Sequence, residues 1–411
     1  MPTGATLTTA AALLKERYLD RIREQINDKV KTLTRIEKSS NGVTNEIGGK
    51  YVTFAIHTKR NNGIGSRYEW EALPTPGNQG NAAARVGLKY GYGGVQLSGQ
   101  VISLSDSSAQ AFTSVLTQET DRLAVDLRKD LNRQVYQAGD GRIATVKSVV
   151  TANIIPVDDA RLFQINEVVD LVNVVAATVA QAARTVTSID LTAGANTVTL
   201  SGAAITTTTS PVQILTRAGS SIGASGNREI TGLTGIVANT GVIYNVDPAV
   251  EPEWTSEVNA NGGTPRQLSE GLMTQMIDRV SARGGDTTVI LTSKGVRRSF
   301  ANLLMQTRQT VNTTKFTGGF SGLAFDTDDG EIPLVSDDDA PLGKLWFLNE
   351  KSFTLYEEKD WDWLDRDGDM WKLVSDTNGH YDAYFAYLHR YHELGCDRRN
   401  SQALLSDVTE S

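Results

Sequence analysis

The sequence predicts an α+β fold with a β-rich insertion, and three stretches carry that expectation. Residues 49–104 read as a strand–loop–strand arm, 105–136 as one amphipathic helix, and 150–263 as short strands poor in charge. The arm's first strand alternates: Val52, Phe54 and Ile56 face one way and Thr53, Ala55 and His57 the other, the two-residue period of a pleated strand. Its return alternates at Val86, Leu88, Tyr90 and Tyr92, after a polar stretch over 58–72 and the prolines Pro74 and Pro76. A lone hairpin is marginal in water. An arm with so wide a tip needs a neighbour to lie on.

Upstream of the arm, residues 8–38 read as a helix with a narrow stripe of Leu19, Ile22, Ile26, Val30, Leu33 and Ile36, and Asn41-Gly42 and Gly48-Gly49 break the chain after it. Downstream, Ser105 or Asp106 is the expected N-cap of the long helix. Its apolar stripe is Phe112, Leu116, Leu123, Leu127, Leu131 and Val135, while Glu119, Arg122, Asp126, Lys129, Asp130 and Arg133 are expected to cover the other side. At about 1.5 Å per residue the rod is roughly 45 Å long. Gly139 and Gly141 end it.

The stretch 176–226 is nearly uncharged, and segments 185–191 and 197–200 flank a turn at 193–196, a hairpin signature. Ile230, Ile236, Val237, Val242, Ile243 and Tyr244 suggest further short strands, anchored with Phe163, Leu171 and Trp254. Mixed α/β patterning returns after residue 264. Helices are expected over 267–281 and 294–308, strands over 287–291, 345–348, 353–356 and 370–374, and an aromatic-rich final strand over 381–391.

Composition narrows the function classes. A chain of 411 residues is long enough for two or three domains. No apolar run approaches the length of a membrane span. The single cysteine, Cys396, rules out an intramolecular disulfide framework. Charge is unevenly placed, with eleven Lys/Arg against six Asp/Glu in residues 1–60 and eight against twenty-one in 325–411. The basic arm therefore suits either the acidic region of another copy or nucleic acid.

In the order and type of these parts the chain resembles the major capsid proteins of tailed bacteriophages with the HK-ninety-seven fold. The resemblance is carried by the arm "GGKYVTFAIHTKRNNGIGSRYEWEALPTPGNQGNAAARVGLKYGYGGVQLSGQVISLS" and the helix "AFTSVLTQETDRLAVDLRKDLNRQVYQAGDG". It continues in "TVILTSKGVRRSFANLL" and "DWLDRDGDMWKLV". It implies an N-terminal arm (1–48), an E-loop hairpin (49–104) and a peripheral domain with the spine helix (105–149). An inserted β-rich domain (150–263), an axial domain (264–377) and a return strand with the C-terminal tail (378–411) follow. Phe54, Lys59, Arg60, Arg67, Tyr68, Trp70, Tyr90 and Tyr92 are then the expected inter-subunit contacts, and Phe112, Leu116, Leu123, Leu127 and Leu131 the spine-helix core.

The implied function is a self-assembling shell subunit, forming hexamers and pentamers of an icosahedral head around double-stranded DNA that it contacts non-specifically. Partners implied are copies of the chain, a separate scaffolding protein, a portal and a candidate decoration protein. Assembly is expected in the bacterial host cytoplasm, with no cofactor, metal or membrane. The arm starts close to Met1, so the mature chain is expected to keep its N-terminus. Lys59 is the one lysine to nominate for an isopeptide cross-link, and no asparagine partner matches by motif.

Enzymatic readings find little support. Gly63-Ile64-Gly65 lacks the third glycine of a dinucleotide fingerprint. His389 and His392 alternate onto opposite faces. Asp365-Arg366-Asp367-Gly368-Asp369 has Met370 where an EF-hand needs glycine. Asp337, Asp338 and Asp339 are a candidate cation cluster, Cys396 beside Arg398 and Arg399 a candidate low-pKa thiol, and Trp346, Trp361, Trp363 and Trp371 candidate interface anchors. Two other classes stand beside the capsid reading: an encapsulin shell, tested by cargo-peptide binding, and a virion-surface β-rich adhesin, tested by glycan binding.

Overall fold

The computed structural model describes residues 29–37, 43–44, 51–106, 115–148, 152–174, 176, 178–192, 196–205, 213–219, 228–308, 323–327, 330–365, 368–376 and 379–410. The helix expected over 8–38 is described only at its end, Thr32–Glu37, where Leu33 and Ile36 are buried. The breaks at Asn41-Gly42 and Gly48-Gly49 lie outside the described residues, as do Phe112 and the side chain of Leu116. Two compact units result: one holds Tyr92–Leu127 and Trp361–His389, the other Lys29–Gly91, Arg128–Asp360 and Arg390–Ser411.

In the larger unit a six-stranded sheet orders Glu257–Asn259, Ala403–Leu405, Leu345–Leu348, Val289–Thr292, Gly330–Ser336 and Leu323–Thr327. Leu345–Leu348 and Val289–Thr292 are buried along their whole length because both sheet faces are covered, which is why they read as continuous apolar runs. Val289, Leu291, Trp346 and Leu348 point into one core, shared with Leu131, Val135 and Tyr136 of the spine helix. Ile290, Leu345 and Phe347 point into the other, closed by Met273, Met276 and Val280 of helix Glu270–Ala282 and by Val296 and Phe300 of helix Lys294–Arg308. The Ser269 side chain caps the first of these helices, accepting from the Leu272 N–H at 3.3 Å. Trp346 is thus a core residue, packed on Tyr136 at 5.4 Å between ring centroids, rather than an interface anchor.

The inserted strands form a closed antiparallel barrel. Their order is Arg142–Thr145, Gln213–Arg217, Val168–Asn173, Thr178–Asp190, Thr197–Leu200 and Ile154–Pro156. A bridge between Val146 and Val157, with Lys147 N–H donating to Pro156 O and Asp158 N–H to Thr145 O at 2.9 Å each, joins the first strand to the last. Inward side chains (Ile155, Val169, Leu171, Val186, Val198, Leu200 and Leu215 among them) fill it, as small barrels require. The hairpin expected at 185–200 is there, in Thr178–Asp190 and Thr197–Leu200.

Two expectations need correction. The short strands expected from Ile230 to Tyr244 do not form; Leu233–Ile236 is a single helical turn and the rest is turn and loop. The reason is Arg399, 1% exposed, whose guanidinium donates to the carbonyls of Ile236, Thr240, Gly241 and Trp254. Backbone acceptors that a sheet would satisfy are satisfied by one side chain. Ile230, Leu233, Ile236, Val237 and Trp254 accordingly share the core of the spine helix. Nor is Ser105 or Asp106 an N-cap, since both are themselves helical, within Gly99–Asp106; the spine helix is described over Val115–Tyr136.

In the smaller unit the first half of strand Gly379–Cys396 pairs with Asp362–Trp363 and Lys372–Asp376. Strand Lys89–Ser98 needs its glycines here: a Cβ on Gly93 would sit 2.6 Å from Leu127 Cδ1, and one on Gly94 2.5 Å from Tyr387 Cε1.

Candidate assembly surface

The base of the arm is held at home. Tyr51–Lys59 pairs antiparallel with Gly80–Gly87, setting Val52 opposite Val86 and Phe54 opposite Ala84. Val52, Phe54 and Ile56 pack, half-buried, on the larger unit's own core, so the alternation is as expected. Lys59 Nζ lies 3.6 Å from Glu251.

Beyond Lys59 the arm tip has no regular secondary structure, yet it is braced. Gly63 N–H donates to Asn61 Oδ1 at 2.7 Å, and Arg67 donates to the carbonyls of Ala72 and Ser66 at 2.9 and 3.0 Å. Gly63 and Gly77 let the two sides of the loop touch: a Cβ on Gly63 would lie 2.6 Å from Gly77 N. A turn over residues 68–71 closes with Glu71 N–H donating to Tyr68 O at 3.2 Å, while the Glu71 carboxylate accepts from Tyr68 N–H at 3.0 Å. Trp70 occupies its third position at φ +66, a left-handed conformation costly for a bulky residue. Ile64, Tyr68, Trp70 and Leu73 are 85%, 84%, 96% and 85% exposed. Arg60 is exposed beside them. Tyr90 and Tyr92 are also exposed, Tyr90 standing edge-on to Tyr391 at 5.0 Å.

The spine helix behaves oppositely. Leu123 and Leu127 are half-buried in the smaller unit, and Leu131 is buried in the larger. Arg133, expected on the solvent side, is enclosed; it donates to Asp130 at 2.9 Å, to Glu229 at 2.5 Å and to the Arg142 carbonyl at 2.8 Å. Arg217, on the barrel, bridges Asp130 at 3.0 Å and Glu167 at 2.9 Å. Burial pushes the Asp130 carboxyl up, but Arg133 and Arg217 outweigh it and bring it down to about 2. Burial dominates at Glu229 and raises it. Periodicity had no way to reveal this enclosure, because the partners Glu229 and Arg217 are far off in sequence.

Other candidate groups also prove structural. Asp337 accepts from Thr32 N–H at 3.0 Å and Thr32 Oγ1 at 2.8 Å, Asp339 from Lys129 at 2.8 Å, and Asp338 pairs with Lys294. The aspartates fasten the segment at residue 32 to the end of the spine helix. The Cys396 thiol, expected low, is raised by burial despite Arg399 nearby. Burial and Arg390 bring His392 down to about 3. Glu393, buried and accepting from the N–H groups of Thr231 and Leu394, is pushed up to about 8 by burial. Among the described residues no group of three or more His, Cys, Asp or Glu is placed to hold a metal ion, and no helix is long and apolar enough to cross a membrane.

The family model described as SU10 major capsid protein matches residues 203–362. The capsid asymmetric unit of cyanophage A-1(L) superposes with a TM-score of 0.64 at 16% identity, covering 98% of this chain and 100% of that one. The chain has the HK-ninety-seven fold of these phage capsid proteins. The capsid of Myoviridae phage XM1 superposes with a TM-score of 0.51 at 9% identity, over 98% of this chain and 99% of that one. A chain of Mycobacterium phage Bobi gives 0.50 at 11%, over 99% of both. Comparison with curated proteins finds no match.

Proposed function

We propose that the arm tip lies on an adjacent copy, and that copies so linked form the hexamers and pentamers of an icosahedral head enclosing double-stranded DNA. The single observation that carries this is the braced tip that holds Ile64, Tyr68, Trp70 and Leu73 almost fully in solvent. A loop stabilised by its own hydrogen bonds yet unable to bury its large apolar groups is organised for a surface outside its own chain. The left-handed backbone at Trp70 supports the same reading, since local strain persists where a side chain must be presented. Arg60 and Arg67 complement acidic neighbours. The partners of this reading are a separate scaffolding protein, a portal and a decoration protein, with assembly in the host cytoplasm. On this reading residues 150–263 are the insertion and residues 264–377 the axial domain.

Negative-stain electron microscopy of the chain expressed with and without a scaffolding protein tests the proposal. Closed shells or capsomer rings are expected, and Trp70→Ala with Arg67→Glu is expected to leave a folded subunit that forms neither. Small oligomers from the wild-type chain under every condition, or wild-type particle yield from the double variant, would contradict it.

A further inference from the structure

The barrel carries a strand edge that the arm-and-neighbour reading leaves unused. Val168–Asn173 is paired on both sides, by Gln213–Arg217 and by Thr178–Asp190. Thr178–Asp190 is paired with Thr197–Leu200 only from Val186 onward. No described strand covers the outer edge of residues 178–184, where Thr178, Val179, Ala180, Ala182 and Ala183 are exposed. A bulge limits the open stretch. Ala183 takes φ +50, its N–H donates to Asp170 Oδ1 at 2.7 Å, and the register shifts opposite Val169 and Leu171. Arg184, the first charge after the bulge, is folded back onto Gln181 Oε1 and Ser201 O at 2.6 and 2.9 Å.

Soluble proteins blunt such edges with lysine, proline or inward-pointing charge. This edge has none of these: residues 171–183 contain no charged residue and no proline, in a chain that is 21% charged. We infer that the edge at 178–182 pairs antiparallel with the same edge of a second copy across a twofold axis of the shell. The inference rests on the capsid reading, which brings identical surfaces together around symmetry axes. Two features select a second copy over a strand from another protein. An edge strand's free N–H and C=O groups complement themselves when the two strands run antiparallel, the geometry an isologous contact imposes. With Ala180 at the axis it faces its own copy and Thr178 faces Ala182, so a charge at the axis would meet its like. An uncharged segment with small side chains at Ala180 and Ala182 meets that condition, whereas an edge for a different partner would be free to carry a complementary charge.

Thr178, Ala180 and Ala182 are each replaced by cysteine, one at a time; the native Cys396 is buried and does not compete. Intact particles, verified by electron microscopy, are mildly oxidised and run on non-reducing gels. At the position nearest the axis, at least about half of the chains are expected as reducible dimers, falling several-fold at the other two, as disulfide geometry demands. Unassembled subunits are expected to stay monomeric. Intact particles with no dimer at any position overturn this inference and leave the capsid reading standing; a chain that makes no particles overturns both. A charge-swap pair identifies the partner. Ala180→Lys and Ala180→Glu are each expected to lower particle yield about tenfold alone and to restore it when co-expressed, because unlike charges then face across the axis. A mixture no better than either variant alone means that the edge meets something other than its copy.

Discussion

At the arm tip, Tyr68 and Trp70 stand in solvent on a loop braced by hydrogen bonds, whereas at the end of the spine helix Asp130, Arg133 and Glu229 are enclosed within one chain. Each region departs from the usual distribution of polar and apolar groups, in opposite directions. The helix end resolves its departure internally, since every enclosed charge has an opposite partner. The tip has no internal resolution, since none of its large side chains is covered. A region whose oddity is compensated within the chain is structural, and we propose that one left open is met by another chain.

Removing a partner from the enclosed cluster breaks that comparison most severely. Arg133→Met leaves Asp130 and Glu229 buried with their shared cation gone, an expected loss of about 3–5 kcal/mol in urea denaturation of the subunit. Adding Glu229→Gln should recover part of it, and a full-strength Arg133→Met subunit would show that the cluster does not hold the fold.

Glu393 gives a second, pH-dependent measure of enclosure. Its folded-state carboxyl titrates near 8 against an ordinary 4.5, so the native state keeps a proton that the unfolded chain releases. Stability is then complete below 4.5 and declines as pH rises to about 8, by roughly 1 kcal/mol per unit. Asp130 runs the other way: its contribution is present above 3.8 and lost as pH falls toward about 2. Thermal melts of Glu393→Gln between these limits should lose the alkaline decline and keep the acid one. An unchanged alkaline slope would place that proton elsewhere.

The smallest effect on stability, and the sharpest on assembly, is expected at the tip. Trp70→Gly relieves a left-handed backbone, a gain of up to about 1 kcal/mol, while deleting the most exposed apolar side chain. The subunit should melt at the same or a slightly higher temperature and assemble poorly. Particle yield at the wild-type level would show that Trp70 has no role between chains.

Legibility in the sequence followed the range of the interactions. Strand alternation at Val52, Phe54 and Ile56, the apolar runs at Val289–Thr292 and Leu345–Leu348, and helix Lys294–Arg308 all rest on neighbours within a few residues, and all were readable. What misled was long-range. Apolar residues between Ile230 and Tyr244 resembled strands because nothing nearby announces that Arg399 binds their carbonyls. Arg133 resembled a solvent-side charge because Glu229 lies 96 positions away. At the surface, Tyr68 and Trp70 were legible as large groups on a polar loop, but the turn that fixes Trp70 was not, since its backbone conformation is one that tryptophan rarely adopts.

Hydroxyl-radical footprinting of isolated subunits and of assembled particles reports whether another chain covers the arm tip. Tyr68 and Trp70 should be oxidised rapidly in the subunit and at least about tenfold more slowly in the particle, as expected for side chains taken into a well-packed contact. Peptides spanning Leu131–Tyr136 should be equally protected in both. Equal labelling of Tyr68 and Trp70 in the two states would mean that the exposed tip meets no other chain.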